Sequence, residues 1–217
     1  MAEAIDPSIA CVVFDVYDTI ANHGQIVAGD LTANGLGMGD YVKSMGHIAA
    51  LADIGHPDWP YEAYQRKYNA LLGADCDDTT WDLPSRLTPI EPVHALIQAL
   101  NAQGVPVSLL TNAGTGALRQ TILGGAVPLV DYVAVTESCK YGFAKPDPTF
   151  FAIAHGIVSG RLSGLKKPDQ VLFVDDQKKN VQAAQDLGWR AVLFDPTNPH
   201  SSVAQIAEYF PQLQLVA

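Results

Sequence analysis

Four short stretches of this 217-residue sequence carry side chains that could do chemistry together. Asp15, in Asp15-Val16-Tyr17-Asp18-Thr19, is a carboxylate able to attack phosphorus or carbon and form a covalent aspartyl ester, splitting one hard displacement into two easier ones. Thr111-Asn112 offers a hydroxyl and an amide to the oxygens of a transferred group, with backbone N–H groups at a following helix start as further donors. Lys145, in Ala144-Lys145-Pro146-Asp147-Pro148, brings a positive charge that would offset repulsion between the nucleophile and an anionic substrate. Asp175-Asp176, followed by Gln177-Lys178-Lys179-Asn180, supplies hard oxygen ligands of the kind Mg²⁺ takes. Each has a plainer reading alone: a turn residue, a helix cap or a solvated surface lysine. Their order, and their common place at the ends of apolar runs, argue for one site.

Those runs are Ala10 to Phe14, Val105 to Leu110, Tyr132 to Val135, Val171 to Val174 and Ala191 to Phe194. Continuous rather than alternating hydrophobicity suits strands buried on both faces of a parallel sheet. Helices with readable ends lie between them. Thr88-Pro89-Ile90-Glu91 has capping-box spacing with Pro at the first helical position, followed by Val93, Leu96, Ile97 and Leu100 on one face and a stop at Gly104. Asp147-Pro148 opens another helix, and Val181, Ala184 and Leu187 mark a third that ends at Gly188. The alternation predicts an α/β fold, a Rossmann-like, doubly wound parallel sheet. In such sheets ligands sit at the carboxyl ends of the strands.

Residues 22–87 break the rhythm. They are rich in Gly, Tyr, Trp and acids, with helical hints at Tyr41 to Ala52 and Tyr61 to Leu72. We read them as a helical cap inserted into a catalytic core of residues 1–21 and 88–217. Gly35-Leu36-Gly37-Met38-Gly39 follows no apolar strand, so it is read as a flexible cap loop, not a phosphate loop. Trp59, Tyr61, Tyr64 and Trp81 are expected to pack within the cap.

Composition narrows the partners. Hydrophobic residues at 48% permit a sizeable core, and a formal net charge of -10 argues against nucleic acid or an anionic membrane as partner. Part of that charge would sit in the site and part in the cap, as in Asp75, Asp77 and Asp78. Cys11, Cys76 and Cys139 form no CxxC pair, and the six histidines show no metal-ligand spacing. No basic leader opens the chain and no apolar run reaches membrane-spanning length, so a cytoplasmic protein is expected, monomer or homodimer.

The constellation resembles the haloacid dehalogenase superfamily of hydrolases. The resemblance rests on FDVYDTI at Phe14 to Ile20, LLTN at Leu109 to Asn112, AKPDPTFF at Ala144 to Phe151, and VLFVDDQKKNVQAAQDLGW at Val171 to Trp189. The long interval between Asp15 and Thr111 leaves room for the cap this family often inserts there. The resemblance implies Asp15 as nucleophile, Thr111 and Asn112 as substrate-binding groups, and Lys145 as the charge between nucleophile and substrate. It also implies Mg²⁺ held most directly by Asp176, supported by Asp175, with Asp15 and the backbone carbonyl of Tyr17 completing the set.

Tyr17 departs from the phosphatase pattern, which carries an acid/base aspartate there. A phenol could donate a proton but is a poor base near neutral pH. Asp18 is one residue out of register, which sends its carboxyl elsewhere. Tyr at this position resembles the 2-haloacid dehalogenase branch, which works without metal and holds its substrate with a cap arginine. Arg66 is the candidate within the cap, and Arg86 lies at its far hinge. Two adjacent carboxylates, however, would repel a haloacid unless a cation neutralised them. The expected activity is therefore Mg²⁺-dependent hydrolysis of a small phosphate ester. A metal-independent 2-haloacid dehalogenase is the first alternative, and a non-catalytic relative that binds a ligand or partner is the second.

Overall fold

The computed structural model describes residues 9–74 and 83–213. Asp75, Cys76, Asp77, Asp78 and Trp81 lie outside the described residues, as does the start of the chain. In chain order, β1 (Cys11–Phe14) passes through the short strand β2 (Ala21–Asn22) into helices α1 (Gly24–Ala33), α2 (Met38–Asp53) and α3 (Tyr61–Leu71). Next come α4 (Leu83–Arg86), β3 (Thr88–Pro89), α5 (Glu91–Ala102), β4 (Val107–Thr111), α6 (Ala117–Leu123) and β5 (Tyr132–Glu137). The alternation ends with α7 (Pro148–Arg161), β6 (Val171–Asp175), α8 (Lys178–Asp186), β7 (Arg190–Leu193) and α9 (Pro199–Ala207).

Each continuous apolar run forms a strand, and the order β5-β4-β1-β6-β7 makes a parallel five-stranded sheet with helices on both faces. Alternation along β1 divides the core. Val12 and Phe14 pack with Leu109, Val174 and the Val93, Leu96, Ile97 and Leu100 face of α5. Cys11 and Val13 pack on the other side with Phe173 and with Phe150, Phe151 and Ala154 of α7. Both faces of the strands are buried, which is why the runs are unbroken. Because β1 is central, with β4 and β6 paired on its two sides, the residues just past these three strands share one edge.

Two local expectations are corrected. Thr88-Pro89 does not cap α5; it pairs antiparallel with Ala21-Asn22, and the helix begins at Glu91 with Ile90 as its cap residue and Pro92 in the first turn. The ladder bond won because it joins the two ends of the intervening helical segment. Gly35-Leu36-Gly37 is a loop, but Met38 and Gly39 already belong to α2. The segment also contains α1, which has no readable sequence pattern: its buried face is Val27, Asp30 and Leu31, an acid among two apolar residues. Among the described residues no helix is long and apolar enough to cross a membrane.

Candidate active site

Three strand ends and one loop build the site. The Asp15 N–H donates to the Val174 carbonyl at 2.8 Å, continuing the β1–β6 ladder one residue beyond the strand and placing Asp15 beside Asp175. Lys145 enters from the loop before α7. Its Nζ lies 2.6 Å from Asp15 Oδ1 and 2.7 Å from Asp175 Oδ2, with its side chain 1% exposed. Asn112 fixes that lysine: its Oδ1 accepts the Lys145 N–H at 2.8 Å and its Nδ2 donates to the Lys145 carbonyl at 3.0 Å. Asp175 is further saturated by Asn180 Nδ2, at 2.9 and 3.1 Å from its two oxygens, and by the Gln177 N–H at 2.8 Å. Packing against Phe173, 5.6 Å from the ammonium to the ring centre, closes the lysine's lower side.

The electrostatics of the cluster are unbalanced. Ligand oxygens of Asp15, Asp175 and Asp176 all lie within 4.8 Å of one another, and Lys145 is the cation between two of them. Burial alone would lower the Lys145 ammonium, but Asp15 and Asp175 outweigh it and hold the pKa above its usual value. Burial pushes the Asp15 carboxyl well above the carboxylate range, with Lys145 working against it. Asp176 is pushed up to about 7 by burial and then by the neighbouring charges of Asp175 and Asp18. Its Oδ1 is buried without a hydrogen-bond partner. A buried, unpaired carboxylate oxygen beside two more carboxylates is a poor resting state for water-free protein, and a divalent cation with oxygen preference satisfies it. The donor set therefore fits Mg²⁺.

Other expected residues fall differently. Thr111 ends β4 fully buried, and its hydroxyl has only a long 3.5 Å contact with the Asn112 carbonyl. Asn112 lines the cavity, whereas Thr111 is not in its lining. The following helix supplies less than expected: α6 starts only at Ala117, and the Ala113 N–H is taken by Ser138 Oγ at 3.0 Å. Tyr17 lines the cavity, edge-on to His23 with ring centres 5.5 Å apart. Its hydroxyl is buried without a hydrogen-bond partner among the described residues, and nearby Thr121 donates its own hydroxyl to the Ala117 carbonyl. Burial pushes the phenol upward, so it stays protonated.

Asp18 is committed elsewhere. It adopts a positive φ of 59°, a conformation Asp tolerates, and its Oδ1 accepts the N–H groups of His23 and Gly24 at 2.9 and 2.7 Å. It thus closes the start of α1. Arg66 is exposed on α3 and outside the cavity lining, because buried Tyr64 and Tyr68 set the helix phase and put Arg66 on the far side. Arg86 instead pairs with Asp30, at 2.7 and 2.9 Å.

The sequence reading missed three contributors. Asn180 clamps Asp175 from the first turn of α8; its spacing, five residues after that acid, was the available signal. Ser138 ties the post-β4 and post-β5 loops to α2. Asp53, the last residue of α2, lines the same cavity as Asp15 and Lys145. That cavity measures about 580 Å³ and is walled on the helical side by Tyr41, Tyr61 and Tyr64, room for a small ligand.

Comparison with known proteins gives a consistent set of matches. A family model described as haloacid dehalogenase-like hydrolase matches residues 9–188. Among curated proteins, the phosphoglycolate phosphatase of Cereibacter sphaeroides is 29% identical over 128 residues, 58% of this chain and 54% of that protein. The matched part therefore spans about half the length of that relative. Among solved structures, the L-2-haloacid dehalogenase of Xanthobacter autotrophicus superposes with a TM-score of 0.60 at 19% identity, covering 86% of this chain and 77% of that one. A haloacid dehalogenase family enzyme of Bacteroides thetaiotaomicron, in complex with magnesium and inorganic phosphate, superposes with a TM-score of 0.62 at 17% identity, covering 87% and 95%.

Proposed function

The chain belongs to the haloacid dehalogenase-like hydrolases, and from that membership we propose that it is a Mg²⁺-dependent phosphatase acting on a small phosphate ester, with Asp15 as nucleophile. The observation that carries this reading is the charge imbalance at the sheet edge. Lys145 bridges Asp15 and Asp175, while a buried oxygen of the adjacent Asp176 has no partner.

In this reading Asp15 attacks phosphorus with a carboxylate oxygen, and the ester oxygen leaves. Lys145 holds the attacking carboxylate in one rotamer and offsets the charge of the phosphoryl group. Asn112 sets the position of Lys145 through its backbone, and Asp175 sets the ammonium from the other side. Asn180 and the Gln177 N–H keep Asp175 in place. Asp176, Asp15, Asp175 and the Tyr17 backbone carbonyl would hold the ion. Bound there, Mg²⁺ would supply neutralising charge to the phosphoryl oxygens and fix their orientation. Water then hydrolyses the aspartyl phosphate and frees Asp15. The phosphoglycolate phosphatase relative and the magnesium- and phosphate-bound neighbour support this reading.

Tyr17 favours a second one, in which Asp15 attacks a halogen-bearing carbon without metal. Against it stands Arg66, exposed and outside the cavity, which leaves the helical side without the arginine that reading called for. One set of assays separates them: phosphate release from an aryl phosphate with Mg²⁺ and with EDTA, and halide release from an L-2-haloacid, each with Asp15→Asn alongside. Phosphate release lost with EDTA and with Asp15→Asn is expected. Phosphate release that survives either treatment overturns the mechanism. Halide release indifferent to EDTA selects the dehalogenase, and silence on all substrates with ligand binding retained selects a binding role.

A further inference from the structure

An ester of an aliphatic alcohol leaves as an alkoxide and needs a proton, and the residues of the first motif do not provide one. Burial raises the Tyr17 phenol, which weakens it as a proton donor and leaves no phenolate near neutral pH to act as a base, and Asp18 is occupied at the start of α1. The same cavity holds one more acid. Asp53 lines it along with Tyr17 and Lys145, delivered by the C-terminal end of α2.

Asp53 is held there through its backbone. Ser138 Oγ donates to the Asp53 carbonyl at 2.5 Å while accepting the Ala113 N–H at 3.0 Å, so one hydroxyl ties α2 to the loop after β4. Two residues on, Gly55 has φ +67°, and a Cβ there would come within 2.7 Å of the Cys139 carbonyl. The chain can approach the core this closely only with glycine. The Asp53 carboxyl itself, though partly buried, has no hydrogen-bond or ion-pair partner among the described residues. A tethered backbone with a free carboxyl in the cavity is the arrangement of a group reserved for the substrate. Burial pushes this carboxyl up to about 7, with the charge of Lys145 acting against it. Tyr17 and Tyr41 are the other titratable groups that feel its charge.

We propose that Asp53 is the acid and base of the reaction, doing from the helical segment what an aspartate at the position of Tyr17 would do; this rests on the phosphatase reading above. In the first step the bond from Asp15 Oδ to phosphorus forms, the P–O bond to the alcohol breaks, and the Asp53 proton passes to the leaving oxygen to give the free alcohol. In the second, Asp53 carboxylate takes a proton from water as its oxygen bonds to phosphorus. The Asp15–phosphorus bond breaks, inorganic phosphate leaves, and Asp53 is again protonated.

The test compares two esters on full-length protein with Mg²⁺. An aryl phosphate expels a stable phenolate unaided, whereas an alkyl phosphate does not. With Asp53→Asn, the aryl ester should give a burst of phenol near one equivalent per enzyme followed by slow turnover, because only the second step lacks its base. The alkyl ester should show no burst and a loss of about 10²-fold or more, the usual contribution of general acid catalysis. Adding Tyr17→Asp to Asp53→Asn should restore alkyl turnover. A purely structural Asp53 would instead lower both esters alike, with no burst and no rescue, and that result overturns the proposal, as does Asp53→Asn with unaltered kinetics. If Asp15→Asn still turns over, the phosphatase reading has failed instead, whatever Asp53 does.

Discussion

Two clusters of paired charge in this molecule are built to opposite rules. In the helical segment, Asp30 of α1 is held by both terminal nitrogens of Arg86 and by the Tyr68 hydroxyl at 3.0 Å. One anion meets one cation through a planar fork, and each carboxylate oxygen has a partner. At the sheet edge three acids surround one lysine, a point charge that meets only two of them, and an oxygen of Asp176 is left over. The first arrangement is closed and joins α1, α3 and α4. The second is open by one cation. The contrast separates a cluster that holds a shape from one poised for a ligand, and charge balance rather than burial makes the distinction.

The sharpest break falls on the open cluster. Lys145→Met should abolish phosphate release and cost about 3–5 kcal/mol, since it leaves two buried carboxylates facing each other without compensation. Urea unfolding and a phosphate assay read both losses. Equal stability with activity retained would show that the lysine does not hold the cluster together.

Mg²⁺ should then distinguish the two clusters by mass action. At a hundredfold excess over its dissociation constant it should stabilise the protein by about 2.7 kcal/mol, seen as a rise in Tm. Asp176→Asn should lose most of that rise. Arg86→Met should keep it, though this variant starts lower by about 1–3 kcal/mol because a charged hydrogen-bonded pair, about a third exposed on the arginine, has been opened. Its phosphate release per folded molecule should stay close to that of the parent. A Tm rise that disappears in Arg86→Met and persists in Asp176→Asn would reverse the assignment of the clusters.

How legible each cluster was follows from how local it is. The open one was readable because Asp15 and Asp175-Asp176 sit beside unbroken apolar runs and strand ends of a parallel sheet converge, while Lys145 was marked by its own short motif, Ala144-Lys145-Pro146-Asp147-Pro148, in the loop before α7. The closed one was hidden, since Asp30 and Arg86 are 56 residues apart and Asp30 disguises the apolar face of the helix that carries it. Arg66 was a misplaced expectation with a visible remedy: Tyr64 and Tyr68 are four residues apart, so Arg66 between them points away from whatever they bury. Asp53 was harder. Its helix was anticipated up to Ala52, but where the next side chain lands depends on Ser138 and Gly55 meeting loops far along the chain.

Asp53 belongs to neither cluster, and its lone carboxyl gives the most specific effect. Its pKa is raised from 3.8 in the ordinary state to about 7 in the fold. A carboxyl raised by folding binds its proton more tightly in the native state, so the stability it contributes is complete below pH 3.8 and is lost as pH rises to about 7. Asn carries no such proton. The Tm of Asp53→Asn minus that of the parent, both in EDTA, should therefore grow from pH 4 to pH 7 and then level off. A flat difference for Asp53→Asn would mean that its carboxyl is solvated rather than held in the cavity, and the contrast between partnered and unpartnered acids would then end at the sheet edge.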